Sequence, residues 1–440
     1  MNFYETSRQA TVLGAGMVGV SCALALQAKG WRVILVDKRE PGEETSGGNA
    51  GVLSRSSLLP FNRPGLWRSL PQMLLQPGPG LKVRASALSN LPWLWRFLWH
   101  ANRTSFEKTT VALDALIQLS WVTHRTWLTQ AQSQHLLREN GWLWLYQNPS
   151  SFDASEFTRE VLQKFSVATE ILSPQSLHEL EPHLAPHYSH ALWIKDAASV
   201  THPEGVVKAY AQQFMNAGGI IQKEEIKAIA QHSNGWQWQS SNGDSHATPN
   251  LVVAMGPWSE KLLGSFKFQN QSNTRSNAPS EKTSGLQIKM GFERGYHRQF
   301  KPVEGVPLGR PIYDISGAYV LSPMQNAAGK NIMRLTTGVE LAAQDAQPNW
   351  QQLEEAENAA RRAFPMKEAL PSSDWMGSRP SLPDSRPVIG EMPGCPGLWL
   401  AFGHQHIGFS TGPGTGVLLA ELMSSESTSI DPRAFGADRF

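Results

Sequence analysis

The sequence is poor in cysteine and contains no long apolar segment. Its two cysteines, Cys22 and Cys395, lie far apart and outside any CxxC motif, so they predict neither a disulfide framework nor a metal or redox pair. No run of about 18 uncharged apolar residues is present, so no transmembrane helix is expected. The first apolar stretch is followed at once by glycines, unlike a secretory signal. We therefore expect a cytoplasmic protein.

The sequence also lacks an excess of either charge. Its 39 Lys and Arg residues are balanced by 37 Asp and Glu residues, which gives a net charge of +2. Nucleic-acid-binding proteins usually carry a strongly basic surface, so no nucleic-acid partner is expected. A content of 40% hydrophobic and 17% charged residues is typical of a globular chain, and 440 residues allow several domains.

What the sequence does contain is a dinucleotide-binding pattern between Thr11 and Asp37. A short apolar strand is followed by Gly14, Gly16 and Gly19, then by a helical stretch and a second apolar strand that ends in an acidic residue. The three glycines permit a tight turn, close approach of the backbone to a pyrophosphate, and close packing of the helix. The helix N-terminus offers N–H groups to phosphate oxygens, and Asp37 can accept hydrogen bonds from a ribose. This pattern fits FAD and NAD equally well.

Hydrophobic spacing predicts the remaining elements. Two helices are expected between Ser105 and Arg138, and other helices at Leu91–Ala101, Phe157–Phe165, Ser173–Leu180, Gly205–Ala217, Trp350–Phe364 and from about Gly416 to Met423. Strands are expected at Gly141–Tyr146, Ala191–Ile194, Asn250–Ala254, Gln287–Met290, Tyr319–Ser322, Ile332–Thr336 and Trp399–Phe402. The polar segment 269–285 has no large apolar residue and predicts a mobile loop. This order favours a nucleotide domain assembled from separated segments, with a second domain inserted between them.

Several motifs, taken together and in this order, are specific for one family. They are Gly14–Gly19, ETSGGNAG at Glu44–Gly51, LPWLWRF at Leu91–Phe97, AMGPWS at Ala254–Ser259, ERGYH at Glu293–His297, and WMGSRPSLPDSRPVIG with GHQHIGFSTGPGTG near the C-terminus. The chain resembles the D-amino-acid oxidase-type family of FAD-dependent amine oxidoreductases, and within it the small-subunit type of D-amino-acid dehydrogenase. The matching motifs run from residue 11 to about residue 423.

The resemblance implies a mixed α/β (α+β) fold with a split, Rossmann-like FAD-binding domain and a substrate domain built on a mainly antiparallel sheet. We expect residues 1–60, 196–262 and 375–440 to form the FAD-binding domain. Residues 61–195 and 263–374 are expected to form the substrate domain, with the mobile loop inside it.

The resemblance also assigns residues to FAD. Those expected at the pyrophosphate are Gly14, Ala15, Gly16, Met17, Val18 and Gly19, and those expected at the adenosine are Asp37, Lys38 and Ile226. Those expected along the pyrophosphate and the flavin edge are Thr45, Ser46, Asn49, Ala50, Gly51, Ala254, Gly256 and Trp258. Those expected at the pyrimidine end of the flavin are Gly403, His406, Ile407, Gly408 and Phe409. Because Cys22 lies in the first helix and Cys395 in a loop before the last strand, we expect noncovalent FAD.

Four residues are expected at the substrate. Arg379 matches the carboxylate-binding arginine of the family, and a planar guanidinium suits a carboxylate. Tyr296 and His297 belong to a motif that the family places near the substrate, with His297 the weaker candidate. His404 is the fourth, and it forms an H-x-H pair with His406. We expect this pair to line the active site or to hydrogen-bond the flavin rather than to hold a metal.

The implied reaction is oxidation of a D-amino acid, or of a cyclic D-imino acid such as D-proline or D-hydroxyproline, with transfer of a hydride to flavin N5. A quinone or another carrier is the expected electron acceptor. The open alternatives are an oxidase that uses O₂, an enzyme for opine-like secondary amines, and a flavoprotein subunit that depends on a partner. The tryptophans of Leu91–Trp99 suit either the inner face of a membrane or a protein core. A homo- or hetero-oligomer is compatible with the sequence.

Overall fold

The computed structural model describes residues 8–67, 80–266 and 288–440. Its described helices include α1 (Met17–Ala28), α2 (Leu91–Trp99), α3 (Arg103–Gln130), α4 (Pro149–Asp153), α5 (Glu156–Lys164), α6 (Pro174–Leu180), α7 (Pro203–Asn216), α8 (Ser259–Gly264), α9 (Gln351–Ala363) and α10 (Gly408–Met423). The strands β1 to β23 are, in chain order, Gln9–Leu13, Arg32–Asp37, Val52–Ser54, Leu81–Val83, Leu137–Arg138, Trp142–Tyr146, Thr169–Leu172, His190–Ile194, Ala197–Val200, Ile220–Lys223, Ile226–His232, Gly235–Ser240, Ser245–Thr248, Asn250–Val253, Gly291–Pro302, Ile312–Asp314, Tyr319–Gln325, Asn331–Thr337, Val339–Leu341, Met366–Ala369, Trp375–Ser381, Val388–Glu391 and Leu398–Phe402.

A largely parallel sheet carries the predicted nucleotide-binding unit. Its strand order is β10, β2, β1, β14, β23 and β22, and only β22 runs antiparallel to its neighbour. Residues 10–13 of β1 are all buried, as expected for a parallel strand that is covered on both faces. The strands come from residues 9–37, 220–253 and 388–402, so three separated stretches of chain build this sheet.

A second, larger sheet is mainly antiparallel. The long strand β15 pairs with β18, β19, β20 and β21, all antiparallel. Parallel pairs occur where β16 meets β6 and where β19 meets β4. The mixed α/β fold predicted from the sequence is therefore confirmed, whereas the predicted domain boundaries stay a prediction.

The prediction of a strand at Gln287–Met290 is wrong in its position. Residues 288–290 are irregular, and β15 begins at Gly291. The backbone of Met290 bonds to side chains instead of to a neighbouring strand, because its N–H donates to Glu260 Oε2 and its carbonyl accepts from Asn90 Nδ2. Gln287 and the expected mobile loop at 269–285 lie outside the described residues.

The expectation of two helices between Ser105 and Arg138 is wrong, because α3 is one helix of 28 residues. Its sequence contains neither glycine nor proline, so nothing in it breaks the hydrogen-bond ladder. Inward-facing residues such as Leu113, Leu116 and Leu128 are buried along its whole length. A short 3₁₀ turn and strand β5 follow the helix before Arg138.

The last helix, α10, begins at Gly408 rather than near Gly416, so most of the glycine-rich segment is helical. These glycines let helices lie backbone to backbone. A Cβ on Gly412 would stand 2.6 Å from Met17 Cγ, and a Cβ on Gly414 would stand 2.8 Å from the Leu116 carbonyl oxygen. One on Gly416 would overlap the backbone of α1. Gly412, Gly414 and Gly416 therefore serve helix packing.

A proline inside α10 is compensated by a histidine from α3. Pro413 has no N–H to offer the Phe409 carbonyl four residues earlier. His124 Nε2 lies 3.1 Å from that carbonyl oxygen and donates to it, while His124 Nδ1 accepts from the Tyr210 hydroxyl at 2.8 Å. Burial lowers the pKa of His124 to about 4, so this bridge uses a neutral ring.

The tryptophan-rich helix α2 has two different faces. Trp93, Phe97 and Leu98 are buried, whereas Trp95 and Trp99 are 61% and 69% exposed. Among the helices of the described ranges, none is long and apolar enough to cross a membrane.

We expect Gly416→Ala to destabilise the protein by about 1–3 kcal/mol, because the added methyl group meets main chain that can move only if α1 and α10 separate. Urea unfolding of the FAD-loaded protein measures this change. Gly264→Ala, at a helical glycine whose Cβ would meet nothing within 4 Å, is the control and should change the unfolding free energy by no more than about 0.5 kcal/mol. Equal effects of the two substitutions would contradict the packing role.

Candidate active site

A cavity of about 2220 Å³ is lined by residues of both sheets. Typical small-molecule pockets have volumes of about 300–1,000 Å³, so this one has room for two ligands side by side. One end lies at the carboxyl ends of β1 and β2, where ligands bind in open parallel sheets. The other end reaches β15 and β21 of the antiparallel sheet.

The turn after β1 forms the first wall. Gly14 has a φ of +104°, and a Cβ there would lie 2.5 Å from the Ala254 carbonyl oxygen, so only glycine fits. Gly16 precedes the first residue of α1 and faces the cavity. Gly19 lies behind the turn, where a Cβ would overlap the Gly14 carbonyl. The turn thus leaves the backbone and the N-terminus of α1 open to an anionic ligand.

Asp37 braces this turn at the edge of the cavity. Its Oδ2 accepts the Ala15 N–H at 2.7 Å, and its Oδ1 accepts the Arg39 N–H at 3.0 Å. The next residue, Lys38, lies 3.7 Å from Glu225 and 5.7 Å from the centre of the Trp258 ring. Asp37 therefore keeps acceptor capacity at the edge of the cavity, beside a positive charge.

A loop from β2 to β3 covers the N-terminus of α1. Ser46 Oγ accepts a hydrogen bond from the Met17 N–H at 2.9 Å. An anionic ligand oxygen could take the place of Ser46 Oγ as the acceptor of this N–H. Thr45, Asn49 and Ala50 also line the cavity. Gly51 does not line the cavity. Its N–H donates to Asn49 Oδ1 at 2.7 Å, and this hydrogen bond fixes the end of the loop.

The antiparallel sheet clamps the same loop by its carbonyl groups. Arg334 Nη1 donates to the carbonyls of Gly47 and Asn49 at 2.7 and 2.8 Å. His297 Nδ1 lies 3.2 Å from the Gly48 carbonyl and donates to it. Burial lowers the pKa of Arg334 to about 10, so the guanidinium stays charged at neutral pH. Burial and the nearby Arg334 lower the pKa of His297 to about 3, so the imidazole is neutral.

Tyr296 does not reach the cavity. Successive side chains of a strand point to opposite faces, so Tyr296 and Arg294 face away from the side of Glu293 and His297. The Tyr296 hydroxyl donates to Glu340 Oε2 at 2.6 Å, and its ring is fully buried in the core of the larger sheet. His297 also lies outside the cavity wall. The positions of Tyr296 and His297 therefore differ from the expectation that both residues contact the substrate.

Arg379 lies where β21 faces the cavity. Its guanidinium rests over Gly295 of the neighbouring strand, where a Cβ would overlap Nη2. Glu293 stands opposite Arg379 in the strand ladder. Within the described residues Arg379 has no side-chain hydrogen bond and no ion pair. Burial lowers its pKa, and the charge of Glu293 acts against this shift.

The segment after β23 closes the site beside Arg379. A β-bridge joins Ser381 at the end of β21 to His404. His404 Nε2 lies 2.9 Å from Thr415 Oγ1, and the His406 ring stands 4.7 Å from that of Phe61. Burial lowers the pKa of both histidines to about 3, so both rings are neutral. Within the described ranges no three His, Cys, Asp or Glu side chains come together as a possible metal site.

Gln405, between the two histidines, lies in the segment 403–409 expected near the flavin, but the sequence assigned it no role of its own. It is 5% exposed and has a φ of +51°, which is unusual for a residue with a side chain. Its Nε2 is buried and has no partner among the described residues. A strained backbone with an unpaired donor in a cavity wall is typical of a ligand-binding position.

The structure brings most of the predicted residues to one cavity. Those that line it are Gly14, Gly16, Met17, Val18, Asp37, Lys38, Thr45, Ser46, Asn49, Ala50, Ile226, Ala254, Gly256, Trp258, Arg379, His404, His406, Ile407, Gly408 and Phe409. Those that lie outside its wall are Ala15, Gly19, Gly51, Tyr296, His297 and Gly403.

Comparison with known proteins identifies the family. The family model described as FAD dependent oxidoreductase (DAO) matches residues 9–422. The chain belongs to this FAD-dependent oxidoreductase family. A D-amino-acid oxidase from Bradyrhizobium diazoefficiens is 30% identical over 443 residues, which cover 98% of this chain and 99% of the relative. A D-amino acid dehydrogenase from Granulibacter bethesdensis is 26% identical over 446 residues, which cover 96% of each chain.

The fold agrees with this assignment. The crystal structure of a glycine oxidase from Geobacillus kaustophilus has a TM-score of 0.70 and 19% sequence identity, with 98% of each chain covered.

The residues at the cavity fit the FAD of this family. The Gly14 turn and the N-terminus of α1 suit a pyrophosphate, and Asp37 suits a ribose hydroxyl. At the other end, the unpaired Gln405 Nε2 is a donor for a polar ring edge. The volume of the cavity leaves space for a second molecule beside the cofactor.

We expect Arg334→Met to weaken FAD binding about 10- to 100-fold. The carbonyls of Gly47 and Asn49 lose two charge-assisted hydrogen bonds of about 1.5–3 kcal/mol each. The loss of affinity is smaller than their sum, because part of this energy orders the loop before FAD binds. Fluorescence titration of the apoprotein with FAD gives the dissociation constant. Arg298→Met is the matched control, since Arg298 on the same sheet bonds to Asp374 and Glu357 and not to the loop. A similar loss of affinity in both variants would rule out a specific clamp.

Proposed function

We propose that this protein oxidises the carbon–nitrogen bond of D-amino acids, or of cyclic D-imino acids such as D-proline and D-hydroxyproline. The observation that carries this proposal is Arg379, a side chain in the cavity wall whose guanidinium forms no hydrogen bond or ion pair with another described side chain, although the charge of Glu293 acts on it. A carboxylate is the natural partner for such a guanidinium, because the two groups form paired hydrogen bonds. The names of the two curated relatives support the D-configuration.

Bound FAD supplies the hydride acceptor for this chemistry. The chain's own residues hold and orient the substrate. Arg379 fixes the carboxylate, and Gly295 beneath it leaves the guanidinium the space that it needs. His404 and His406 are neutral, so they add no charge that would compete with Arg379 for the carboxylate. Orientation of the substrate in this largely apolar cavity then accounts for much of the rate.

We assign the cofactor to the cavity wall predicted from the sequence, from the Gly14 turn to Phe409. Ala15, Gly19, Gly51 and Gly403 act in this assignment by supporting the wall from behind. We assign His297 to positioning of the loop at Gly48, and we withdraw Tyr296 as a substrate contact. Noncovalent attachment is supported by both cysteines, which are buried outside the cavity wall.

For the electron acceptor we propose a quinone or another carrier. Leu91, Trp95 and Trp99 form one exposed stripe of α2, while Trp93 and Phe97 of the same helix line the cavity. An apolar stripe on a helix with Arg96 suits contact with a membrane surface at its cytoplasmic side. An oxidase that passes electrons to O₂ is the second candidate, favoured by the D-amino-acid oxidase relative.

Anaerobic mixing of the purified, FAD-loaded protein with a panel of D- and L-amino acids tests the reaction. We expect D-amino acids or D-imino acids to bleach the flavin absorbance and the L-enantiomers to leave it unchanged. Bleaching by L-enantiomers alone, or by neither set, would refute the proposal. Peroxide production with air as sole acceptor, compared with turnover of a quinone analogue, decides between the two acceptors.

We expect Arg379→Ala to raise KM for carboxylate substrates about 100- to 1,000-fold, because two charge-assisted hydrogen bonds of about 1.5–3 kcal/mol each are lost. Steady-state kinetics measures the change, and Arg379→Lys should restore part of it. Arg386→Ala is the matched control in the same motif. Its partner Asp384 keeps a second bond, from Arg439 Nε at 2.8 Å, so the fold is preserved. An unchanged KM in Arg379→Ala would remove the assigned role.

A further inference from the structure

A buried carboxylate shares the cavity wall with Arg379. Glu293 of β15 is 2% exposed and lines the cavity. It stands directly opposite Arg379 in the antiparallel ladder, but no ion pair joins the two side chains. Glu293 Oε2 has no hydrogen-bond partner among the described residues. A buried carboxylate oxygen without a partner is costly, and its position in a cavity wall indicates that a ligand supplies the partner.

The groups around Glu293 favour a cationic ligand. Strand β21 contributes Arg379 and the hydroxyl of Ser381, which faces the same carboxylate without the geometry of a hydrogen bond. On the other side, β19 contributes Leu341, which cannot titrate. Arg294, the next residue on β15, points to the opposite face and bonds to Tyr296. One cation and one anion thus stand side by side in the wall, as the two charges of a zwitterionic amino acid require.

We propose that Glu293 binds the amino group of the substrate and accepts a proton from it before the carbon–hydrogen bond breaks. This inference rests on the proposed function. With the carboxylate held by Arg379, the neighbouring ammonium group lies on the side of Glu293. The pair therefore selects substrates that carry a carboxylate and a primary or secondary amine on one carbon.

The proton and electrons balance in this step. One N–H bond of the ammonium group breaks, and an O–H bond forms on Glu293. The lone pair left on nitrogen then forms the C=N bond as the hydrogen of the α-carbon leaves with two electrons for the oxidised FAD. The products are an iminium ion, reduced FAD and a protonated Glu293, which returns its proton to solvent after product release.

The acidity of Glu293 suits this task. Burial raises its pKa to about 7, against the opposing effects of Arg379 and Ser381. A base with a pKa near the working pH is both ionised and able to accept a proton. His404 and His406 also line the cavity, but burial lowers the pKa of each to about 3, which makes both of them weak bases.

Glu293→Gln tests the inference, because it keeps the shape and removes the base. Anaerobic reduction of the bound flavin by saturating substrate is followed across the neutral and alkaline pH range. In the wild type the rate should rise as pH passes through about 7, where Glu293 ionises. In Glu293→Gln this rise should disappear, the rate at neutral pH should fall by about 100-fold or more, and it should recover as the amine of the substrate deprotonates by itself.

Two further variants and one ligand separate a role at the substrate from a structural one. Glu293→Asp should retain a pH-dependent rise. Glu421→Gln, at a buried glutamate that bonds to Ser429 and does not line the cavity, should keep the wild-type profile. Binding of a carboxylic acid without an amino group, seen as a change in the flavin spectrum, should be no weaker in Glu293→Gln than in the wild type.

The outcomes separate this inference from the proposed function. If D-amino acids reduce the wild-type flavin and Glu293→Gln keeps the wild-type rate and pH profile, the role of Glu293 is refuted while the function stands. Loss of carboxylic-acid binding in Glu293→Gln would also refute it, because the substitution would then act through Arg379. If no amino acid reduces the wild-type flavin, the proposed function fails, and the role of Glu293 fails with it.

Discussion

The antiparallel pairing of β15 with β21 is the constraint on which the candidate site depends. Its register sets Glu293 opposite Arg379, and it places Gly295 where the guanidinium can lie. Because side chains alternate along a strand, a slip of β21 by one residue would turn Arg379 toward the core, whereas the same slip of β15 would bring Arg294 to the cavity. The same strand carries His297, which binds the loop beside the cofactor wall. One ladder therefore sets the distance between the proposed substrate groups and the proposed cofactor wall.

Much of the wall of this cavity could be predicted because its physics is local. The turn at Gly14, the N-terminus of α1 and the acid at Asp37 lie within one short stretch of chain, so their spacing alone indicates a nucleotide site. Arg379 required the resemblance to a family, since nothing near it in the sequence distinguishes it from Arg386. The structure separates the two, because Arg386 bonds to Asp384 whereas Arg379 faces the cavity.

The errors and omissions have a common cause in long-range contacts. Tyr296 and Arg334 are placed by strand alternation and by register, which no single segment reveals. The start of α10 was misjudged because three of its glycines are accommodated by α1 and α3, far away in sequence. The charge of Arg334 within the otherwise uncharged strand NIMRLTT was an available signal for a buried polar contact.

The order of strands in the parallel sheet has a consequence for synthesis of the chain. The central strand β14 is flanked by β23, which lies at residues 398–402, and Phe409 of the cavity wall follows shortly after. Domains usually fold as units while the chain emerges from the ribosome. Here the Gly14 turn waits for β23 and Phe409, far along the chain, to be translated. The proposed FAD site is therefore complete only once Phe409 has been synthesised, and capture of the cofactor follows that step rather than synthesis of the Gly14 turn.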